Sequence, residues 1–325
     1  MRKIIYARDV KTLLTGSEKL LVVAPKATCS RFPKILGSKL EGLLSGLGKK
    51  LKPGHRGATA STLTGDTPPR LVLGVLPDKV SRYNCPARPE CVHHVTKAAG
   101  FSDEKKAAVL LVLDDPGHLI PALNATVRAF PLYSAKSAKS AKSKDSKSTT
   151  LQILAIDGDG KVIPADKTAR ATVEAARDVA RLVDTPPTDM NPEMLVKEAR
   201  KLLGGVSNLS TKVIVGEDLL KAKLAGIHAV GRCALKAPRM LVATYTPSRP
   251  RGKHIALVGK GITYDTGGLH IKGRGSMETM KADMGGSAAV FGAFKTLVGS
   301  GCKQKLSLVL CLAENAIGPS SYKPD

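Results

Sequence analysis

Two aspartates and three lysines are concentrated in one 28-residue segment, GKGITYDTGGLHIKGRGSMETMKADMGG. They are Asp265, Asp283, Lys260, Lys272 and Lys281. Two carboxylates that converge in a partly buried pocket repel each other unless a cation lies between them. A divalent metal ion is the simplest such cation, and it can polarise a carbonyl group and activate water at neutral pH. A nearby lysine can serve as a neutral amine ligand or stabilise a developing oxyanion.

The elements around this segment favour convergence. A strand is predicted at 254–259, and Lys260 and Asp265 follow it, at the carboxyl edge where open α/β sheets bind ligands. Asp283 is expected at the start of a helix predicted at 287–298, which small residues allow to press closely on the sheet. The glycines that permit a tight backbone path after the strand are Gly261, Gly267 and Gly268.

Two other interpretations of the segment remain open. In the first, Asp283 only caps its helix, the lysines face solvent and the glycines only make turns. In the second, the Gly-Lys-Gly sequence after a strand binds phosphate. The P-loop pattern Gly-x4-Gly-Lys-Ser/Thr is absent, however, and a dinucleotide fingerprint would need its glycines to open a helix directly.

Alternating apolar runs and helical patterns predict an α/β fold with two domains. The first, at 1–165, is an α/β domain with a mixed sheet flanked by helices, and the second is an α/β domain at 166–325. The predicted strands are 20–24, 71–76, 107–113, 151–156, 212–215, 240–245, 254–259 and 305–312. The predicted helices are 34–47, 167–183, 193–203 and 287–298. With 3% aromatic residues, the core must be mostly aliphatic.

The chain is strongly basic, with 51 Lys and Arg against 27 Asp and Glu. A net charge of +24 attracts polyanions and predicts possible nonspecific contact with nucleic acid. The segment 134–150, SAKSAKSAKSKDSKSTT, has no large apolar residue and is predicted to be a disordered basic insertion. No apolar run is long enough to span a membrane. The basic N-terminus is not a secretory signal, which favours a cytoplasmic location with a mitochondrial one as the alternative.

The six cysteines are scattered and are interpreted as reduced residues of the core in an intracellular protein. Cys85 and Cys91, followed by His93 and His94, raise the alternative of a zinc site. The Cys-x5-Cys spacing is wider than in a zinc knuckle, and two adjacent histidines rarely reach one ion. An ordinary loop is therefore the favoured interpretation of this segment.

Several motifs resemble the leucyl aminopeptidases, the M17 or cytosol aminopeptidase family. They are GKGITYDTGGL at 259–269, Lys272, MKADMGG at 280–286, LVDTPP at 182–187 and AEN at 313–315. The spacing from Lys260 through Lys272 to Asp283 matches without a gap. The 182–187 motif has an aspartate where the family usually has asparagine. The resemblance is specific over residues 170–325 and faint before them.

The resemblance implies a metallo-aminopeptidase that releases N-terminal residues, leucine preferentially, from peptides with two zinc or manganese ions. By position, Lys260 would be the amine ligand of the tighter metal, Asp265 would touch both metals, and Asp283 would bind the tighter one. Lys272 would polarise the scissile carbonyl and stabilise the tetrahedral intermediate. Met280 would line the pocket for the first side chain of the substrate. The family forms homo-hexamers, with the N-terminal domains outside and the catalytic domains at the centre.

The family also uses a downstream Asn-Thr-Asp-Ala-Glu-Gly-Arg segment, which supplies further metal ligands. The chain ends at Asp325, before such a segment. At most one well-formed metal site is therefore expected, and the second domain would be only the first part of a catalytic metallopeptidase domain. The favoured hypothesis is a fragment of an active aminopeptidase. The alternative is a catalytically inactive nucleic-acid-binding or assembly protein on the same scaffold.

Overall fold

The computed structural model describes residues 2–30, 32–101, 104–135 and 149–324. Within it the chain forms two compact units, Met1–Val173 and Glu174–Asp325. Each unit contains its own sheet with helices packed on it, which confirms the predicted α/β class. The division falls inside a helix, a little beyond residue 165, where the sequence placed the domain boundary.

The sheet of the first unit has the strand order β1-β6-β5-β2-β4-β3. The strands are β1 (Arg2–Tyr6), β2 (Lys19–Pro25), β3 (Ala58–Leu63), β4 (Arg70–Leu76), β5 (Lys106–Val112) and β6 (Thr149–Ile156). All pair in parallel except β3, which is antiparallel to β4, so the sheet is mixed as predicted. The four strands predicted here all form. The sequence missed β1 and β3, because neither is a long apolar run.

Helices cover both faces of this sheet. They are α1 (Val10–Leu14), α2 (Ser38–Lys50), α3 (Pro89–Ala98) and α4 (Leu119–Arg128). Successive residues of β2 alternate between two apolar clusters, with Leu20 and Val22 packing toward α1 and α2 and Leu21 and Val23 packing toward α3 and α4. Because both faces are covered, the strand reads as a continuous apolar run. The core is almost entirely aliphatic, as the composition required.

The predicted helix at 34–47 was placed too early, because α2 begins at Ser38 and ends at Lys50. Gly37 precedes it with φ 86°, a left-handed conformation that glycine adopts readily and that cannot continue a helix toward residue 34. The predicted insertion at 134–150 was extended two residues too far at its C-terminal end. Thr149 and Thr150 belong to β6, where they pair with β1 and β5. Residues 136–148 of that prediction lie outside the described residues.

Most of the cysteine–histidine segment is helical, so the prediction of a loop holds for Cys85 but was wrong for Cys91, His93 and His94. Cys91, His93 and His94 lie on α3, which begins at Pro89, a residue well suited to a first helical position. Cys91 faces the core, and burial raises the pKa of its thiol. Nδ1 of His93 lies 3.3 Å from the carbonyl oxygen of Ala125. In the described part of the chain, no three His, Cys, Asp or Glu side chains are grouped to hold a metal ion.

All six cysteines are free, but only two lie in the core. Cys29 and Cys91 are buried, whereas Cys85 and Cys233 are exposed and the others are half-buried. The prediction of six core cysteines was therefore wrong for the exposed pair. Both exposed residues lie in turns between elements, where the chain has no apolar layer to cover them.

The second sheet has the order β7-β8-β10-β9. Its strands are β7 (Leu209–Val215), β8 (Arg239–Tyr245), β9 (Ile255–Asp265) and β10 (Leu306–Asn315). β10 is parallel to β9 and antiparallel to β8, and β7 is antiparallel to β8. The chain returns from β9 to β10 through a helix, as a parallel pair requires.

The remaining helices are α5 (Lys167–Asp184), α6 (Pro192–Leu202), α7 (Asp218–Lys221), α8 (Ala225–Gly231) and α9 (Gly285–Gly299). One face of the second sheet forms an apolar cluster with α9, α6 and the last turns of α5. Phe291 and Phe294 of α9 are almost fully buried in it. Within the described ranges, no helix combines the length and the apolarity that crossing a membrane requires.

A buried arginine in the first unit holds the loop after β5. The side chain of Arg88 donates to Asp114 Oδ2 over 3.0 Å and to the carbonyl oxygen of Asp78 over 3.3 Å. Nδ1 of His118 lies 2.8 Å from Asp114 Oδ1. Burial raises the pKa of Asp114, but the hydrogen bonds from His118 and Arg88 outweigh it and hold this pKa below its usual value.

This lowered pKa predicts a pH-dependent contribution to stability. Asp114→Asn should reduce the free energy of unfolding at pH 7 by about 1–3 kcal/mol, typical of a hydrogen bond to a charged group. A lowered folded-state pKa stabilises the protein above the unfolded value of about 3.9 and loses this effect as pH falls through the folded value. Urea denaturation should therefore show the gap between wild type and Asp114→Asn closing below about pH 4.

Asp159→Asn is the matched control, because Asp159 is exposed and belongs to no ion pair in the described structure. It should change the stability little across the same pH range. A gap for Asp114→Asn that stays constant from pH 7 to pH 3 would contradict the assignment.

Candidate metal centre

A β-bulge brings Lys260 and Asp265 to the same face of the second sheet. They are five positions apart on β9, so a regular strand would direct them to opposite faces. Ala313 of β10 lies opposite Ile262. Two residues later, Asn315 lies opposite Asp265, which is three residues beyond Ile262. β9 thus contains one extra residue, which reverses the alternation. Lys260 and Asp265 both line a cleft of about 450 Å³.

The prediction that the strand ends at Gly259 was wrong, because β9 continues to Asp265. Its glycines do not form a loop but admit α9. A Cβ on Gly259 would lie 2.6 Å from Cα of Ser287, and one on Gly261 would lie 2.7 Å from Ser287 Oγ. Ser287 Oγ also donates to the carbonyl oxygen of Gly259 over 2.9 Å. The expected close packing of this helix on the sheet is confirmed.

Two residues in left-handed conformations turn the chain after β9. Gly267 and Gly268 have φ values of 86° and 65°. A Cβ on Gly267 would lie 2.3 Å from the carbonyl oxygen of His270, so a side chain is excluded there. The amide of Lys272 then donates to the carbonyl oxygen of Thr266 over 2.9 Å. This turn brings the chain back to the end of β9, so that Lys272 lies beside Thr266.

Asp265 lies at the centre of a small polar network. Its Oδ1 accepts hydrogen bonds from Asn315 Nδ2 at 2.7 Å and from the amide of Gly267 at 3.0 Å. Its Oδ2 lies 3.1 Å from Nζ of Lys272. Burial raises the pKa of Asp265, but the hydrogen bonds from Gly267, Lys272 and Asn315 outweigh it and hold this pKa below the usual value. The carboxylate is therefore ionised at neutral pH.

Asp283 has one compensated and one uncompensated oxygen. Nζ of Lys260 lies 2.8 Å from Asp283 Oδ1. Oδ2 is buried and accepts no hydrogen bond from any described residue. A buried carboxylate oxygen without a partner is unfavourable unless a cation or an ordered water satisfies it. The residue lies in the short 3₁₀ helix Met280–Met284 that leads directly into α9, rather than at the start of the longer helix.

The structure thus brings Lys260 against Asp283 and places it in one cleft with Asp265, and each aspartate is paired with a lysine. In the described residues, no three His, Cys, Asp or Glu side chains form a metal-binding group. A metal ion held here would have two carboxylates, Asp265 and Asp283, and would need the amine of Lys260 as a third donor. The donor set and the uncompensated oxygen of Asp283 fit such an ion.

A second cleft, of about 490 Å³, shares Asp265 and Asn315 with the first. Lys272, His270 and Ser276 line it together with Asp265 and Asn315. The sequence-predicted Lys272 therefore faces space that adjoins the candidate ligands. The predicted pocket residue Met280 is half-buried and lines neither of the two clefts. Lys281 is half-buried in the same short helix as Met280.

Sequence reasoning assigned no role to Asn315, which the structure places against Asp265. One signal was available, because Asn315 follows the predicted strand 305–312. The carboxyl ends of parallel neighbours meet at one edge of a sheet. The parallel pairing of this strand with β9 could not be read from the sequence alone.

Two family models match the chain. Residues 174–325 match the model described as cytosol aminopeptidase family, catalytic domain, and residues 55–139 match the model described as M17 aminopeptidase N-terminal domain 2. The second unit of the structure, Glu174–Asp325, coincides with the first of these matches.

Curated relatives and solved structures agree with these models. The chain is 35% identical over 255 residues to the probable aminopeptidase NPEPL1 of Homo sapiens, covering 78% of this chain and 48% of that protein. It is 33% identical over 253 residues to leucine aminopeptidase 1 of Caenorhabditis elegans, covering 78% and 50%. The chain spans about half the length of the curated relatives it matches.

Among solved structures, leucyl aminopeptidase from Trypanosoma brucei in complex with actinonin matches with a TM-score of 0.81 and 31% identity. The match covers 99% of this chain and 63% of that one. The leucine aminopeptidase structure from Caenorhabditis elegans matches with a TM-score of 0.80 and 27% identity, covering 99% and 64%.

The close approach of α9 to β9 predicts that a single methyl group disturbs the site. Gly259→Ala places a Cβ against the helix backbone and should lower the free energy of unfolding by about 1–3 kcal/mol, as overpacking does. Gly285→Ala is the matched control, because its Cβ would meet nothing within 4 Å. Urea denaturation measures both. Equal stability of the Gly259→Ala and wild-type proteins would contradict the close contact.

Proposed function

The chain belongs to the cytosol aminopeptidase (M17) family, and on that premise we propose that it carries part of the active site of a metal-dependent leucyl aminopeptidase. The reaction is hydrolysis of the first peptide bond, which releases N-terminal amino acids, leucine preferentially. The single observation that carries the proposal is the buried Oδ2 of Asp283, which no described residue satisfies, on a carboxylate that pairs with Lys260, a residue that lines one cleft with Asp265.

We propose that Lys260, Asp265 and Asp283 hold a divalent zinc or manganese ion. When bound, the metal supplies Lewis-acid polarisation of the carbonyl and a lowered pKa for water. Lys260 and Asp283 already compensate each other across 2.8 Å, which supports their place around one charge centre. Lys260 must lose its proton to act as a ligand, and the positive charge of a metal favours that loss.

Lys272 is the group proposed to act on the substrate carbonyl. Its Nζ lies 3.1 Å from Asp265 Oδ2 and its side chain is about one-third exposed, so it can reach both the carboxylate and a peptide in the adjoining cleft. As an ammonium group it donates a hydrogen bond to the oxygen that gains negative charge in the tetrahedral state. A preorganised donor of this kind stabilises that charge more than it stabilises the neutral carbonyl.

The proposal also concerns the length of the whole protein, its substrate pocket, its assembly and its location. The coverage of about half of each curated relative supports the proposal that this chain is the first part of a longer aminopeptidase, whose further donors complete a second metal site. In that whole protein we expect Met280 to contact the first side chain of the substrate. A homo-hexamer in the cytoplasm is the assembly and location that the resemblance to cytosol aminopeptidases supports.

The roles of the lysines predict a separation between metal binding and turnover. In the chain extended through its reading frame, Lys272→Ala should lower the rate of leucine-amide hydrolysis by about 10²–10³-fold, the usual effect of removing one oxyanion donor. Its metal content after dialysis against zinc or manganese should equal that of the wild type. Lys260→Ala should lose both its bound metal and its hydrolytic activity. Normal hydrolysis by Lys272→Ala would contradict its role.

Lys253→Ala is the control, because Lys253 is exposed in the loop before β9, at the opposite end of the strand from Asp265. Metal content and hydrolysis should also be compared between the extended protein and this chain alone. Activity in the extended protein only would support a fragment. Inactivity and absence of bound metal in both would overturn the proposed enzyme.

A second function, nonspecific binding of nucleic acid, is favoured by one basic surface. Arg249, Arg251, Lys253 and Lys303 are exposed on two adjacent loops, and none pairs with a carboxylate of a described residue. The amide of Arg251 donates to the carbonyl oxygen of Lys303 over 2.8 Å, which fixes the two loops together. Several unpaired cations in one place attract a phosphate backbone.

Fluorescence anisotropy with a labelled DNA duplex tests this second function. Each phosphate contact adds about −0.9 to the slope of log K against log salt concentration. Replacing Arg249, Arg251 and Lys303 with serine should therefore reduce the slope by up to about 3. Replacing three exposed lysines elsewhere, Lys212, Lys221 and Lys223, is the charge-matched control. Equal slopes for the two triple variants would contradict DNA binding by this surface.

A further inference from the structure

We propose that Asn315 is a positioning residue that fixes the carboxylate of Asp265 in the orientation needed to bind a cation. The inference rests on the proposed metal-binding role of Asp265 and adds a residue to that site. It follows from the pairing of β9 with β10, from the hydrogen bonds at each oxygen of Asp265, and from the space left by Gly268.

Hydrogen bonds hold the backbone of Asn315 in place independently of its side chain. Its carbonyl oxygen accepts hydrogen bonds from both the amide and Oγ1 of Thr266, at 2.9 Å and 2.7 Å. The bulge in β9 sets Asn315 directly opposite Asp265. These bonds anchor the end of β10 to the first residue after β9. The carboxamide therefore starts from a rigid point beside the carboxylate.

The two oxygens of Asp265 have different partners. Oδ1 accepts two N–H groups, from Asn315 at 2.7 Å and from Gly267 at 3.0 Å. Oδ2 is left for a cation, which in this structure is Lys272 at 3.1 Å. Two neutral donors on one oxygen hold the side chain in one χ1 rotamer, oppose rotation about the Cβ–Cγ bond and also stabilise the ionised form. The orientation of the carboxylate is therefore set by neutral groups that do not compete with a metal for its charge.

The chemistry of the pair requires asparagine in one orientation. An ionised carboxylate only accepts hydrogen bonds, so the nitrogen of the carboxamide must face Asp265. Its oxygen then faces Gly268, where an added Cβ would lie 2.9 Å from Oδ1 of Asn315. Gly268 also has φ 65°, a conformation that other residues rarely adopt. The turn after β9 thus leaves room for this side chain.

Loss of the carboxamide should weaken metal binding without removing a ligand. Residues that hydrogen-bond to metal ligands typically contribute 10–100-fold to affinity. Asn315→Leu keeps a similar volume but removes the donor. Its affinity for manganese, measured by competition with a chelating dye, should fall by about 10-fold or more. Asn315→Gln retains a carboxamide donor and should bind manganese more tightly than Asn315→Leu.

A metal-independent measurement separates this inference from the proposed metal site. Three-bond nitrogen–carbon couplings in selectively labelled protein report the χ1 rotamer of Asp265. The wild type should show one rotamer, whereas Asn315→Leu should show averaging. Thr263→Val is the control, because it removes a hydrogen bond to Ala313 in the same strand pair and leaves the partners of Asp265 in place.

The outcomes are distinct. A single, unchanged rotamer in Asn315→Leu overturns the positioning role, whatever the metal affinity. Rotamer averaging in Asn315→Leu but not in Thr263→Val supports it, even if the wild type binds no manganese, a result that would count against the metal site alone. Equal averaging in both variants would mean a general loosening of the strands and would also overturn the specific role.

Discussion

The pairing between β9 and β10 is the constraint on which the rest of the site depends. It extends β9, the edge strand of the second sheet, to Asp265, and its one-residue bulge places Asp265 and Lys260 on the same face. It also sets Asn315 against Asp265 and anchors the turn that returns Lys272. Without the bulge, the five-residue spacing would divide the candidate ligands between the two faces of the sheet.

The site also requires the packing of α9 on β9, because Asp283 lies just before this helix and is positioned by it. Glycine at 259 and 261 allows the first turn of the helix to approach the strand closely, and Ser287 bonds to the strand backbone. The short helix before α9 then sets Asp283 beside Lys260. Close packing of the helix thus also fixes the position of the charge. The large apolar residues Phe291 and Phe294 lie on the same face of α9 as Ser287 and pack in the apolar cluster of the sheet.

Charge compensation between lysines and aspartates stabilises this arrangement. Each aspartate is opposite a lysine, so the two carboxylates do not need a metal ion to coexist. The compensation is incomplete at Oδ2 of Asp283. At the proposed metal site, a divalent cation would replace these lysine contacts and satisfy the remaining oxygen. In the proposed enzyme, Lys260 would then serve as a metal ligand and Lys272 as a donor to the substrate.

The sequence by itself determined the α/β class, the buried strands, the segment that carries the chemistry and the family that it resembles, because apolar runs and residue spacing encode them directly. It could not determine that β9 continues through the glycines, that Cys91 lies on a helix, or that Asn315 meets Asp265. Those facts were decided by tertiary structure. A strand continues where a neighbour supplies backbone partners, and a side chain takes its role from residues that are distant in the chain but adjacent in the sheet.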